Sequence, residues 1–148
     1  MTTTNLHVTP VSRALRIGRT AALTTAAATA TNLIVFSLAR SRDVNFRFPA
    51  PGSTRAQTVD SAAVVLVTFA MMLVGWAAVA LAARHHRPSL TTIAIIGAVV
   101  ALASCAAPLT IDAGSSVKLT LASLHLIAGL CYLAGIAGLQ HARTGADR

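Results

Sequence analysis

The chain has 148 residues, of which 55% are hydrophobic and only 11% charged, and its mean hydropathy is +0.69. An ordinary soluble domain carries roughly 25% charged residues, and a domain of this size buries only part of its surface. The composition therefore excludes a soluble enzyme, a disordered tail and a disulfide scaffold. It predicts an integral membrane protein.

Several segments of the chain are long and apolar enough to cross a bilayer, which takes roughly 20 residues at about 1.5 Å each. They predict an all-α polytopic membrane protein, in which four transmembrane helices form one bundle and residues 1–148 form a single membrane domain. The predicted spans are 20–39, 61–83, 90–111 and 118–139.

The first span has a second interpretation. Basic residues precede it and small residues lie near Ser37 and Ala39, as in a secretory signal peptide. The apolar centre of a signal peptide is shorter, about 7–15 residues, whereas this segment is longer and rich in Thr. An uncleaved first helix is therefore favoured.

One long extracytoplasmic loop, residues 40–60, is expected between the first two spans. Val44, Phe46 and Phe48 alternate with polar residues in this loop, which indicates either a short strand or an interfacial flap whose apolar side lies on the bundle. Because the loop offers no second obvious strand as a partner, we favour the flap.

Basic residues lie at the ends of the apolar segments, where headgroups and water accept them, and this spread argues against nucleic acid as a partner. With four spans, the termini and the 84–89 turn share one side of the membrane. That side carries seven of the twelve Lys and Arg residues, and the other side carries five. Both termini are therefore predicted to be cytoplasmic. The excess of Arg over Lys, with abundant Ala, indicates a bacterial cell membrane.

Small residues recur at every fourth position in three of the predicted helices. Such ridges let helices approach one another closely within lipid. The ridges consist of Ala22, Ala26 and Ala30 in the first span, Gly97, Ala101 and Cys105 in the third, and Ala134 and Gly138 in the fourth.

The fourth span carries Lys118, His125 and Tyr132 at intervals of seven residues, which places them on one helix face. His125 lies roughly 10 Å deeper than Lys118, and an ionisable group at that depth should face the protein interior. Counting from the span ends places three further polar or small side chains at a similar depth. We predict a polar layer of Asn32, Thr68, Cys105 and His125, with Lys118 at its mouth.

This polar layer has two interpretations. In one, Asn32 and His125 hydrogen-bond each other and fix the register of the helices. In the other, the layer is a ligand or proton site, in which His125 titrates and Lys118 attracts an anionic group. Trp76 and Tyr132 lie deeper and are expected to pack with their polar atoms satisfied.

No metal, no cofactor and no catalytic set is expected. Glu is absent and no Asp lies within a predicted span, which excludes paired-carboxylate catalysis and a zinc-protease motif. Haem ligation by two His residues would need a second His within a span. Cys105 and Cys131 are expected at different depths, too far apart for a disulfide.

Short motifs run along most of the chain. These features are Asn32 in the first span, the long first loop, and the basic turn that ends in Arg87 and Pro88. The last span also opens with the segment KLTLASLHLIAGL, in which Lys118 precedes His125. Together, over about residues 13–141, they resemble a family of uncharacterised actinobacterial membrane proteins. The resemblance implies a four-helix fold and no particular activity.

The sequence favours a non-enzymatic membrane protein that acts as a small structural or accessory component. Its expected partners are membrane lipids and either a second copy or other membrane proteins. The alternative is a binder of a small molecule or lipid, or a proton-coupled carrier acting as an oligomer, that uses the layer around Asn32 and His125. Carriers usually contain repeated halves, for which four spans leave little room.

Overall fold

The computed structural model describes residues 10–49, 55–84 and 89–144. Within these ranges the chain forms an all-α bundle with one small hairpin, and four helices are long and apolar enough to cross a membrane. The prediction of an all-α, multi-pass architecture is confirmed. In chain order the elements are α1 Pro10–Arg40, β1 Arg47–Pro49, β2 Ala56–Thr58, α2 Ser61–Arg84, α3 Leu90–Leu109 and α4 Ser115–Thr144.

The predicted spans fall within these helices with one exception. The third predicted span reaches residue 111, whereas α3 ends at Leu109 because the Thr110 N–H turns back to the Ala107 carbonyl. α1 has 31 residues, a length of about 46 Å, and therefore exceeds the roughly 30 Å hydrocarbon core. The turn containing Arg87 and Pro88 falls in 85–88, outside the described residues.

Local hydrogen bonds set several helix ends. Asp60 precedes α2, and its carboxylate accepts a hydrogen bond from the Ala63 N–H at 2.8 Å. Ser89 caps α3 by accepting from the Thr92 N–H at 3.2 Å. Both are N-caps, in which a side-chain oxygen satisfies a helix donor that has no partner in the preceding turn. These caps therefore lie at the starts of α2 and α3, where the apolar membrane-spanning segments begin.

The helices alternate in direction, and α4 contacts all of the others. α3 lies at the periphery and packs mainly on α4. At one end of the bundle, Arg16 Nη1 donates to the Ala142 carbonyl at 3.5 Å, so the start of α1 meets the end of α4. We call this the terminal end, and we call the opposite end, which carries the hairpin and the α3–α4 turn, the loop end.

Two clusters of buried side chains form the core, one toward each end. The terminal cluster comprises Ala28, Met72, Trp76, Val79, Ile93, Tyr132, Ile136 and Leu139. The loop cluster comprises Phe36, Phe46, Phe48, Val64, Val117 and Leu124.

The loop at 40–60 contains the small hairpin. β1 and β2 pair antiparallel, with Phe48 opposite Gln57, so the preference for a flap without strands is wrong. β2 has no apolar alternation and is exposed throughout, which is why the sequence gives no sign of it. The expected burial of the apolar side is confirmed, since Phe46 and Phe48 are both buried.

One of the three small-residue ridges packs as expected. On α3, a Cβ added at Gly97 would lie 2.5 Å from Tyr132 Cε1, and Ala101 Cβ lies 2.5 Å from the Cβ position of Gly129. The ridges of α1 and α4 are exposed instead. Ala occupies so much of α1 that spacing alone cannot select a face, and the face that turns inward is the one carrying Asn32 and Phe36.

Candidate functional site

Asn32 lies where α1, α2 and α4 meet, and only 1% of it is exposed. Its Nδ2 donates to Thr68 Oγ1 at 2.9 Å and to the Leu124 carbonyl at 3.2 Å. A carbonyl oxygen only accepts, so the atom that faces Leu124 must be the amide nitrogen. The amide oxygen, Oδ1, is buried and has no hydrogen-bond partner among the described residues.

Thr68 provides the second polar group of the site and is 4% exposed. Its hydroxyl oxygen accepts from Asn32. Within the described part of the chain, no other hydrogen bond of the Thr68 side chain is present. A hydroxyl carries one donor proton as well as acceptor lone pairs, so the Thr68 proton is available to a further group.

His125 is half-buried, and its Nδ1 lies 2.8 Å from the Leu121 carbonyl of its own helix. Because that carbonyl can only accept, Nδ1 of His125 carries a proton. The expected hydrogen bond between Asn32 and His125 is not formed. His125 follows Leu124 directly, so its side chain leaves α4 about 100° around the axis from the side that Asn32 contacts.

A cavity of about 160 Å³ lies between α2 and α4, and Asn32, Thr68 and His125 all line it. Its other lining side chains are apolar and come from α2, α4 and Val59, the residue after β2. Val67 lines one side and is 49% exposed, so the cavity reaches the outer surface of the helices. The result is a small, mostly apolar chamber whose lining, among the described residues, includes three polar side chains and no Lys, Arg, Asp or Glu.

The structure brings together three of the five predicted site residues, Asn32, Thr68 and His125. Cys105 lies at a similar depth on α3, where its Sγ lies 3.6 Å from the Ala122 carbonyl of α4, but it does not line the cavity. Lys118 also lies outside the lining, roughly 10 Å along α4 from His125. Depth along α4 separates Lys118 from the cavity. Cys105 is separated because α3 packs on another side of α4, which counting along a helix does not give.

Sequence reasoning missed part of the cavity wall. Leu121 and Ala128 line it at four residues before and three after His125, and this helical spacing could have identified them. Val59 reaches the cavity through the hairpin, which no sequence signal predicted. The Leu124 carbonyl is a backbone group, so residue type could not reveal it either.

Tyr132 lies on α4 two turns from His125, toward the terminal end, where it packs against α2 and α3. Its hydroxyl donates to the Gly75 carbonyl at 3.3 Å. A Cβ added at Gly75 would lie 2.9 Å from the Tyr132 ring, and one added at Gly97 would lie 2.5 Å from it. The ring therefore occupies space that only glycine leaves between α2 and α3. The sequence led us to expect a hydrogen-bond partner for the Trp76 indole nitrogen. Instead, Nε1 is buried without a partner among the described residues.

The described residues contain no group of three or more His, Cys, Asp or Glu side chains that could hold a metal ion. The cavity wall is almost entirely apolar, and Asn32, Thr68 and His125 contribute to its lining. Small-molecule sites are usually lined in this way, by apolar side chains with a few polar residues.

Residues 12–142 match the model of a family described as a family of unknown function (DUF6069). This confirms the uncharacterised-family part of the resemblance inferred from the motifs. No curated protein and no solved structure matches the chain.

Proposed function

Since the chain belongs to this family of unknown function, we propose that it is a non-enzymatic protein of the bacterial cell membrane that binds a small membrane-dissolved molecule between α2 and α4. The observation that carries the proposal is the cavity between α2 and α4, whose wall at the half-exposed Val67 opens on the outer surface of the helices.

The size of the cavity supports this function. At about 160 Å³ it is close to the ~150 Å³ apolar cavity that accommodates benzene. It therefore suits a small molecule or one end of a longer molecule. Its few polar groups sit within an otherwise apolar wall, as in sites where polar atoms fix the orientation of a mainly apolar ligand.

The position of the opening supports entry from the lipid. Val59 lines the cavity next to the hairpin, and the buried side chains of Phe46 and Phe48 hold that hairpin on the loop end of the bundle. The partly exposed wall at Val67 belongs instead to α2, about 9 Å along its apolar span from Ser61. A ligand dissolved in the bilayer reaches this wall directly.

The distribution of charge supports the proposed orientation, with both termini in the cytoplasm. Over the whole sequence, the side with the termini and the 84–89 turn carries seven of the twelve Lys and Arg residues, and the other side carries five. An excess of Lys and Arg is typical of the cytoplasmic side of membrane helices.

A second candidate function is a structural or accessory role, with membrane lipids and either a second copy or other membrane proteins as partners. A specific observation favours it. The Nδ2 of Asn32 bonds to both α2 and α4, which is how a polar side chain fixes helix register in a membrane. In this role the cavity is a by-product of packing around Asn32.

The two functions differ in whether a molecule accompanies the purified protein. Val67→Trp places a large side chain at the cavity opening, whereas Leu66→Trp places it on the neighbouring position, which is 70% exposed and lies outside the cavity lining. Protein purified in native-membrane nanodiscs is extracted with organic solvent, and the extracts are compared by mass spectrometry. We expect a molecule that accompanies wild type and Leu66→Trp and is depleted from Val67→Trp. Identical extracts from all three proteins would favour the structural role.

A further inference from the structure

The shape and surroundings of the cavity indicate the class of its ligand. On the basis of the proposed function, we infer that the occupant is an anionic single-chain lipid, of the fatty-acid class, whose hydrocarbon chain lies between α2 and α4 and whose charged group lies near Lys118. The inference depends on the direction in which the cavity runs, on the depth at which it lies and on the position of Lys118 beyond one of its ends.

The cavity is a narrow slot that runs along the helices. On α2 its lining extends from Ala63 to Met71, about 12 Å along the axis, and on α4 from Leu121 to Ala128, about 10 Å. A volume of about 160 Å³ spread over this length has room for one linear chain and little width for a bulky molecule of fused rings. The slot has almost no polar surface, so the part of the ligand that fills it is a hydrocarbon.

The slot is open toward the lipid along its length. Its outer edge on α2 is formed by Ala63, Val67 and Met71, which are four residues apart and therefore lie in one line on the helix. All three keep exposed surface, whereas Val64 and Thr68, deeper in the slot, are buried. Lipid chains run roughly parallel to a membrane-spanning helix. A chain can therefore enter this slot sideways from the bilayer.

The slot lies nearer the loop end than the terminal end. Along α2, Val67 is about 9 Å from Ser61 and about 25 Å from Arg84. The slot therefore lies in the half of the hydrocarbon core on the side of the loop end, since that core is about 30 Å thick. A chain that occupies this half carries its polar group at the loop end.

Lys118 supplies a positive charge beyond that end of the slot. On α4 it precedes Leu121 by three residues and His125 by seven, so it lies about one turn beyond the lining on the same side of the helix. Its side chain is half-buried and makes no hydrogen bond or ion pair within the described part of the chain. Asp60 lies at the same end, but its carboxylate is bound to the Ala63 N–H. An anionic group on the ligand therefore has a cationic partner in Lys118.

Methionine methyl groups provide a direct readout of occupancy. The chain has three Met residues, of which Met71 lines the slot at the end away from Lys118 and Met72 lies in the terminal cluster. In protein carrying ¹³C-methyl methionine in nanodiscs, binding in the slot shifts the Met71 signal and leaves Met72 unchanged. Met72 is therefore an internal control for effects on the whole bundle.

Three probes separate the shape of the ligand from its charge. Decanoate is linear and anionic, decanol has the same chain length without the charge, and adamantane carboxylate is anionic but bulky. They are compared at equal mole fraction in the bilayer and at mildly alkaline pH, where both acids are ionised. We expect decanoate to half-saturate the Met71 shift at a concentration about threefold lower than decanol, the scale of a charge pair near the surface. Adamantane carboxylate should require a concentration on the order of tenfold higher than decanoate, because a bulky group overpacks a narrow site.

Lys118→Gln tests the charged contact. It removes the positive charge and keeps a long polar side chain, so we expect decanoate and decanol to bind equally in this variant. Arg42→Gln is the matched control, because it also removes one positive charge, from an exposed position after α1 that lies outside the lining. The preference for decanoate should survive in this control. Its loss in both variants would indicate an effect of net charge alone and would overturn the contact with Lys118.

The outcomes separate the ligand class from the proposed function. Saturation at Met71 by all three probes at equal concentrations would overturn the assignment of a linear anionic ligand and leave binding in the cavity intact. A preference for decanol or for adamantane carboxylate would overturn it in the same way. The absence of a saturable Met71 shift with every probe would overturn both, and is the result expected of a slot that bilayer phospholipid already fills.

Discussion

The amide nitrogen of Asn32 lies 2.9 Å from the hydroxyl oxygen of Thr68, although the two residues are on different helices. The same nitrogen also reaches the Leu124 carbonyl of α4. One side chain of α1 therefore links three helices, and it does so at the edge of the cavity. The packing of these three helices around the cavity consequently depends on one residue.

Replacing Asn32 by Ala removes both of these hydrogen bonds. Interhelical hydrogen bonds in membrane proteins contribute about 0.6 kcal/mol on average and up to about 1.7 kcal/mol. We expect Asn32→Ala to lower the free energy of unfolding by about 1–2 kcal/mol, and Thr68→Val, which leaves the Leu124 bond, to lower it by about 0.6 kcal/mol. The measurement is unfolding in mixed detergent micelles. Ser37→Ala, at an exposed position of α1, is the control, and an effect of Asn32→Ala no larger than this control would contradict the interpretation.

Gly97 tests the packing of Tyr132. An added Cβ would lie 2.5 Å from the ring, closer than atoms in contact can approach, so Gly97→Ala must displace it. Overpacking of this kind costs about 1–3 kcal/mol. Gly138→Ala is the matched control, because no atom lies within 4 Å of its Cβ position and Ala favours a helix over Gly by about 1 kcal/mol. Thermal unfolding should show a lower midpoint for Gly97→Ala and not for Gly138→Ala. Equal midpoints would argue against the close packing of Tyr132 on Gly97.

The hairpin depends on its two buried aromatic residues. Phe48→Ala removes a ring that the loop cluster encloses, and truncation of a buried Phe costs about 3–5 kcal/mol. We expect the hairpin to detach while the helices persist, which exposes the peptide bond after Arg47 to trypsin. Limited proteolysis followed by mass spectrometry detects that cleavage. Thr58→Ala, on the exposed strand β2, should be cleaved no faster than wild type, and equal rates for both variants would contradict the anchoring role.

The orientation can be tested by cysteine labelling in intact cells. In a background with Cys105→Ala and Cys131→Ala, a new thiol is introduced either by Gln57→Cys in the hairpin or by Ala142→Cys near the end of α4. A membrane-impermeant maleimide should label the first and spare the second until the cells are opened, as the excess of Lys and Arg on the side of the termini, seven against five, predicts. The reverse pattern would place both termini outside.

The helices could be predicted from the sequence because each is a long apolar segment that the bilayer constrains in length. The depth of the polar residues could also be predicted, since a fixed rise per residue converts position into depth. Thus Asn32 and Thr68 were expected at one level, and they are in contact. Rotation about the helix axis could not be predicted where Ala occupies most positions, so the packing face of α1 was misplaced.

The hairpin and the cavity wall depend on contacts between distant segments. β2 is a strand because β1 lies beside it, and its own residues, Ala56 to Thr58, carry no strand pattern. The inward position of His125 and the exclusion of Cys105 likewise follow from how α2 and α3 are arranged around α4. Pairwise helix packing of this kind is set by the three-dimensional fit of small residues such as Gly97 and Gly129, which the sequence contains without identifying their partners.

Photo-crosslinking tests directly whether a small membrane-dissolved molecule occupies the cavity between α2 and α4. A short aliphatic alcohol carrying a diazirine is irradiated with the protein in nanodiscs, and labelled peptides are mapped by mass spectrometry. We expect labels within residues 59–71 and 121–128, the ranges that contain lining residues of the cavity, and we expect excess cyclohexanol to suppress them. Labels that spread over the exposed side chains of α3, such as Ile95, Val99 and Leu102, and that cyclohexanol does not affect would contradict binding in the cavity.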